Sequence, residues 1–292
     1  WAFYQSYRNK SLKSDRLVRL RGDCTDTGLL KRCLEEYKPD YIIHLAALTI
    51  ASVSNDFPTE AKVNIFDSTV SILDVLKDVS FKFQRLIYTS SSMIYGNFLR
   101  DSNGDIIPAT EDQPCNPIDL YGAMKLGGEH VVRAYFHRFK IPYTIIRPSA
   151  VYGPTDCNRR VTEIFLTNAI KGKDLVLDNG GKHQLDFTYV EDLVMGYILA
   201  VETEKAAGEA FNITRGEGRS ILELAEVVAK YGKDVKIVNS DVVPYRPNRG
   251  TLDISKARKI LGYSPRFSLE EGMEKYYNFI NEFEIEGLSN IK

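Results

Sequence analysis

Three short apolar runs constrain the fold more than any other feature of this chain. Tyr41-Ile42-Ile43-His44-Leu45-Ala46-Ala47, Gln84 to Tyr88 and Tyr143 to Arg147 each read as a buried strand. Helical patterns separate them. From about Thr59 to Lys77, the side chains Ala61, Ile65, Thr69, Ile72, Leu73 and Leu76 recur at helical spacing, and a second helix runs from Tyr121 to about Phe139. Strands alternating with helices make a parallel sheet covered on both faces. The runs lead into Ala46-Ala47, Thr89-Ser90-Ser91-Ser92 and Pro148-Ser149. Small and hydroxyl residues at the carboxyl ends of such strands stand where an open α/β sheet presents its chemistry.

Tyr121-Gly122-Ala123-Met124-Lys125 supplies a reactive pair. Residues i and i+4 share a helix face, so the Lys125 ammonium lies under the same surface as the Tyr121 phenol. A free tyrosine titrates near ~10 and is a poor base at neutrality. A neighbouring lysine and a cationic ring favour the phenolate, and lowering the pKa by ~3 units takes ~4 kcal/mol of differential stabilisation. On these five residues alone, an ordinary amphipathic helix with an exposed tyrosine and lysine explains the pattern at least as well.

Three further features decide for chemistry: Ser91 at a strand end, Tyr95-Gly96 after it, and Arg147-Pro148-Ser149-Ala150-Val151-Tyr152-Gly153-Pro154. Together they resemble the extended short-chain dehydrogenase/reductase family, in particular its nucleotide-sugar epimerases and dehydratases. The resemblance runs from Gly22-Asp23 to about Pro265. It implies an α/β fold, a Rossmann-like doubly wound parallel sheet with a smaller C-terminal α/β substrate-binding lobe. Residues 1–154, with 185–213 returning, would form the dinucleotide-binding domain, and 155–184 with 214–292 the lobe. NAD is the implied cofactor and a nucleotide-diphosphate sugar the implied substrate. Ser91, Tyr121 and Lys125 take the catalytic positions. The implied cofactor contacts are Asp23, Cys24, Leu45, Ala46, Ala47, Asn64, Tyr121, Lys125 and Pro148; Asn64 reads equally as a polar residue on its helix. Ser91, Ser149, Arg160, Arg246 and Arg249 are expected at the substrate, and a homodimer is expected through the 59–77 and 119–139 helices.

Departures from the family pattern narrow the reaction. Dehydratases of the family carry an Asp-Glu pair where this chain has Ser92 and Met93, and decarboxylases place a glutamate at the Met93 position. A thioether transfers no proton, so the expected reaction is epimerisation through a transient keto-sugar at C4. A reductase or oxidase without inversion would leave the same local sequence. The family's phosphate-contacting arginine before Asp186 is Leu185 here, which moves anion binding to Arg160, Arg246 or Arg249. Arg159-Arg160 stand at the start of a helix expected over Val161 to Ile170, an end that favours anions, so a bound phosphate or a solvated pair both fit.

The beginning departs most. No G-x-G-x-x-G or G-x-x-G-x-x-G stands near the N-terminus, while Leu17-Val18-Arg19-Leu20-Arg21 looks like the family's third strand and Gly22-Asp23-Cys24 like its GD pair. In the strand order 3-2-1-4-5-6, losing the first two strands exposes both new edges. The expectation is therefore that roughly forty upstream residues, about one βαβ unit, are missing from this sequence, and that NAD binding is weak without them. The rival expectation is a natural variant that has abandoned dinucleotide binding. A non-catalytic binding protein retaining the fold is favoured by the absent glycine loop and opposed by the intact serine, tyrosine and lysine.

Bulk properties exclude little more. The 292 residues suit one α/β domain with an appended lobe, and a net charge of −1 argues against a nucleic-acid or membrane-surface role. No segment approaches the ~18 apolar residues of a spanning helix. Cys24, Cys33, Cys115 and Cys157 and the four histidines lack metal-ligand spacing, and the thiols read as those of a reducing cytoplasm. Further expected elements are a helix from Asp26 to Tyr37 capped by Thr25 or Asp26, a lid-like loop from Asp101 to Asn116, and a strand over Leu175 to Leu177. Then come a strand over Phe211 to Ile213, a Ser220-capped helix to Lys230, a strand over Val235 to Val238 and an arginine loop from Pro244 to Gly250. A helix over Asp253 to Tyr263 and a Ser268-capped helix to about Phe283 precede a fraying tail.

Overall fold

The computed structural model describes residues 17–156, 158–240 and 247–284. The chain runs through α1 (Thr27–Tyr37), β1 (Tyr41–His44), α2 (Ala51–Asp56), α3 (Pro58–Ala61), a π-helical segment (Lys62–Asp67) and α4 (Ser68–Leu76). It continues with β2 (Arg85–Thr89), a 3-10 turn (Ser92–Tyr95), α5 (Leu120–Phe139), β3 (Tyr143–Arg147), β4 (Val151–Tyr152), α6 (Val161–Ile170) and β5 (Leu175–Asp178). The rest comprises β6 (Gln184–Asp186), β7 (Thr188–Tyr189), α7 (Val190–Glu202), β8 (Ala210–Asn212), β9 (Gly218–Ser220), α8 (Ile221–Ala229), β10 (Ile237–Ser240), α9 (Ser255–Leu261) and α10 (Leu269–Glu284).

Strands β1, β2, β3 and β8 pair parallel in that order. Successive side chains of a strand point to opposite faces, and both faces of this sheet are packed. Leu86, Tyr88 and Ile145 meet Leu73, Leu76 and Val132 of α4 and α5 on one side. On the other side Ile87, Ile146 and Phe211 meet Tyr197 and Ala200 of α7 and Leu261 of α9. A second core joins Phe165 and Leu166 of α6, Leu175 and Leu177 of β5, Leu224 of α8 and Met273 of α10. Asp192 on α7 ties the layers by accepting from Arg266 N (2.9 Å) and Phe267 N (3.0 Å). Among the described residues, no helix is long and apolar enough to cross a membrane.

Several local expectations are met. Asp26 caps α1, α6 spans Val161–Ile170, and Ser220 and Ser268 close capping boxes with Glu223 and Glu271. Others need correction. Leu17 to Arg21 form no strand and Leu17, Val18 and Leu20 are exposed, because no neighbouring strand among the described residues offers them a ladder. For the same reason β1 ends at His44 rather than Ala47 and is the outermost strand of the sheet among the described residues, with Ile43 42 % and Leu45 57 % exposed. The stretch before Pro58 holds α2. The 59–77 helix keeps its apolar face but passes through the π-helical turn at 62–67, where Thr69 Oγ1 bonds back to Ile65 O at 2.7 Å. The 235–238 strand lies two residues further on, at 237–240. The expected tail lies outside the described residues.

Close approach of α5 to the sheet depends on glycine. A Cβ on Gly128 would stand 2.1 Å from the Tyr88 hydroxyl, and one on Gly122 2.7 Å from Met93 O. Helix propensity alone would make Gly128→Ala stabilising by about 1 kcal/mol. The clash reverses the sign, since Tyr88 is fully buried. Gly128→Ala is expected to lower the melting temperature, and adding Tyr88→Phe to restore part of it; a Gly128→Ala protein that melts higher than wild type contradicts this packing.

Candidate active site

The strand ends and the first turn of α5 build one buried pocket wall. Asp119 accepts from Gly122 N at 2.7 Å and Asn55 from Leu120 N at 3.0 Å, so α5 starts with two of its free N–H groups satisfied. That start fixes Tyr121, which is 8 % exposed and packs with Ala61 and Ile65, with Ala47, Leu48, Met93 and Met124 around them. Ser91 Oγ accepts from Met93 N at 3.2 Å, which leaves its hydrogen for another acceptor, and the hydroxyl acts on the Tyr121 phenol in favour of the phenolate. Lys125, one turn on and 3 % exposed, donates to Thr89 O at 2.7 Å. Its ammonium lies 5.5 Å from the Tyr88 ring centre and 5.9 Å from that of Tyr121. The predicted triad of Ser91, Tyr121 and Lys125 is thus brought together.

Its electrostatics differ from the expectation for Tyr121. Burial raises the phenol's pKa, opposed by the Ser91 hydrogen bond and the charges of Arg160 and Arg249, with Asp119 acting against them. Lys125 spends a hydrogen bond on Thr89 O instead, and burial pushes its own pKa down to about 8. In the protein alone the phenol is therefore held neutral. His44, beneath the site, is pushed down to about 4 by burial and by Lys125. Thr69 Oγ1 already donates to Ile65 O, so His44 Nε2 is the donor across the 3.3 Å contact with Thr69.

Below the triad lies a buried polar network that the sequence reading missed. Arg147, at the end of β3, donates to both carboxylate oxygens of Glu129 (2.9 and 2.8 Å), to the Tyr95 hydroxyl (2.9 Å) and to Glu111 O (2.9 Å). Tyr95 donates to Asn212 Oδ1 at 2.8 Å, while Asn212 Nδ2 donates to Ala109 O and Asp253 O and its backbone N–H to Glu111. Glu129 is fully buried. Burial alone would raise its pKa, but Arg147 holds it below the usual carboxylate value. The signal was available: Glu129 is four residues after Lys125, on the same helix face, and Arg147 ends a strand otherwise read as buried.

Other expected site residues scatter more widely. Ser149 is buried and Pro148, half-buried, accepts from Ser92 N at 2.9 Å. Arg160 is the N-cap residue of α6 and donates to Val151 O at 3.1 Å. It and Arg249 both act on Tyr121, whereas Arg246 lies outside the described residues. Asp23 is exposed, its Oδ1 accepting from Thr25 N and Thr25 Oγ1, and Cys24 is half-buried beside it. Ala46 is exposed next to Leu45. Asn64 is exposed and donates to Glu60 O at 2.8 Å, so it is not among the residues packed on Tyr121.

The residues fit the nicotinamide and ribose half of NAD. A buried ammonium with one protein acceptor, beside a tyrosine and a serine hydroxyl, suits ribose hydroxyls, and small residues follow β1 where a flat ring needs room. Among the described residues no glycine-rich turn offers backbone donors to a pyrophosphate.

Comparison with known proteins agrees. Residues 4–214 match the NAD dependent epimerase/dehydratase family, and the chain belongs to it. NAD is the cofactor of that family. The chain is similar to the UDP-glucose 4-epimerase of Mycolicibacterium smegmatis, at 28 % identity over 277 residues, covering 91 % of this chain and 83 % of the relative. It superposes on UDP-glucuronic acid 4-epimerase from Bacillus cereus, solved with UDP-glucuronic acid and NAD, with a TM-score of 0.86 and 30 % identity over 96 % of this chain and 87 % of that one. A dTDP-glucose 4,6-dehydratase from Streptomyces venezuelae with NAD bound superposes with a TM-score of 0.84 at 25 % identity, over 95 % of this chain and 84 % of that one.

Proposed function

We propose that this chain is an NAD-dependent epimerase that inverts C4 of a nucleotide-diphosphate sugar, working as a homodimer through the outer faces of the 59–77 and 119–139 helices. The observation that carries the reading is the buried Ser91, Tyr121 and Lys125 cluster with Met93 packed against it. At the Met93 position a dehydratase would need an acid, and a thioether can neither give nor take a proton.

When bound, NAD supplies hydride acceptance and return, held by Lys125 and by the residues after β1. Tyr121 takes the proton of the sugar hydroxyl and later gives it back. Both transfers use one oxygen, which Ser91 holds by its O–H. One donor to a developing oxyanion is worth roughly 2.7–4 kcal/mol. The packed apolar wall of Ala61, Ile65 and Met93 excludes water from that oxygen, so the keto-sugar keeps its proton partner while it turns over. Arg160 and Arg249 face the same tyrosine with positive charge and suit the substrate diphosphate.

A panel of UDP-, dTDP-, GDP- and CDP-sugars, incubated with the protein and NAD and followed by NMR, tests the reading. Interconversion of a C4 pair is the expected result. Accumulation of a 4-keto-6-deoxy sugar would replace it with dehydratase chemistry.

A further inference from the structure

Asp186 is a buried acid that the mechanism does not use. It is fully buried at the end of β6, next to the leucine that replaces the expected phosphate-contacting arginine. Every hydrogen bond it makes is an accepted one. Gly216 N donates to both its oxygens at 3.1 Å, and Thr214 Oγ1 and Leu252 N donate to Oδ2 at 3.0 Å.

The Leu252 contact reaches the site. Residues 248–253 form a strap held by several contacts, among them Gly218 N donating to Thr251 Oγ1 at 2.9 Å and Asn212 Nδ2 donating to Asp253 O at 3.0 Å. Asn248 N donates to Asn97 Oδ1 and Asn248 O accepts from Phe98 N, both at 2.8 Å. Ala109 of the lid-like loop then pairs with Leu252, donating to Thr251 O (3.0 Å) and accepting from Asp253 N (2.9 Å). Asp186 holds the same end, through Leu252 N. Arg249 stands between the contacts at Asn248 and those at Thr251 to Asp253, and its charge acts on both Tyr121 and Asp119.

We infer that Asp186 is a positioning residue for nucleotide-sugar binding, its carboxylate anchoring the 248–253 strap and so holding Arg249 where its charge reaches Tyr121. This rests on the reading of Arg249 as a ligand of the substrate diphosphate. The carboxylate form suits the site because all its partners are donors. A proton on Asp186 would place a donor among donors and release one N–H of the strap or of the 214–216 turn. Burial pushes the group up to about 7, against the hydrogen bonds from Leu252, Thr214, Gly216 and Glu217. The titratable neighbour that feels its charge is Tyr263, whose phenol also faces Asp192 and Arg215. A pyrophosphate diester has no proton to gain or lose in this range. Substrate KM should therefore rise as pH falls through about 7, apart from any change at Lys125, which titrates at about 8.

The test is kcat and KM for the accepted nucleotide sugar against pH, in the NAD-loaded full chain, for wild type, Thr214→Val, Asp186→Asn and Arg249→Gln. Wild-type KM should rise about tenfold on the acid side, the effect of one charge-assisted hydrogen bond. Thr214→Val removes a donor that holds the Asp186 pKa down, so the same transition should move to higher pH. Asp186→Asn should show a high KM without the transition, and its effect on kcat should be smaller. Arg249→Gln should raise KM at every pH. If Asp186→Asn does not fold, the wild-type and Thr214→Val profiles still decide. A KM flat across this range, or a transition that Thr214→Val leaves in place, overturns the inference while Arg249→Gln still supports the substrate reading. An Arg249→Gln protein with unchanged KM overturns that reading, and the inference with it.

Discussion

Tyr121→Phe is expected to lower turnover about 10²–10⁴-fold, the usual worth of a positioned acid–base group, with the fold intact. The ring would keep its packing against Ala61 and Ile65, so only the oxygen is lost. The described neighbours are poor substitutes. Lys125 is committed to Thr89 O, His44 Nε2 to Thr69, and Met93 has no proton to move. Burial raises the Tyr121 pKa, so the oxygen works as a base only when the charges of the loaded site oppose that burial. Lys125→Met is therefore expected to cost both turnover and cofactor retention. Turnover lowered by about 10²–10⁴-fold with an unchanged circular dichroism spectrum is the predicted outcome for Tyr121→Phe, and near-wild-type turnover would remove the proposed proton carrier.

Arg147→Ala should destabilise the protein by about 3–5 kcal/mol, because it leaves Glu129 as an uncompensated buried charge. Arg133, at 3.0 Å, remains beside Glu129, but at the protein's edge with a third of its side chain exposed. The loss also frees the Tyr95 hydroxyl and Glu111 O, which links β3 to the lid-like loop. The low pKa of Glu129 sets the sign of the pH dependence. A carboxylate with a depressed folded pKa contributes stability above its unfolded value and loses it as pH falls through the folded one. The gap between wild type and Arg147→Ala should therefore narrow in acid. Urea denaturation across pH measures it, and a difference below about 1 kcal/mol at neutral pH would mean that the pair is a surface-like ion pair.

How much of this was legible follows physical range. Periodicity is local, so the Arg85–Thr89 and Tyr143–Arg147 strands, the helix bearing Tyr121 and Lys125, and the Asp26, Ser220 and Ser268 caps were readable from a few residues each. Pairing is not local. Leu17 to Arg21 carry strand-like residues, yet a strand needs a neighbour, and none is present among the described residues. The π-helical turn at 62–67 was invisible for a related reason. The apolar spacing of Ala61, Ile65 and Thr69 is that of a plain α-helix, and the extra residue per turn shows only in the hydrogen bonds. At the site, Tyr121 and Lys125 lie one turn apart and could be paired on paper. The distance from Glu129 to Arg147 to Tyr95 to Asn212 spans four elements, and only the folded chain closes it.

The most direct test of the account uses a nucleotide sugar carrying deuterium at C4. If one oxygen and one bound cofactor serve both halves of an inversion, the label should remain at C4 in both epimers, with no oxidised sugar building up and no solvent hydrogen entering that position. Label lost to solvent, or label leaving the sugar as a keto product accumulates, would contradict an epimerase built on Tyr121.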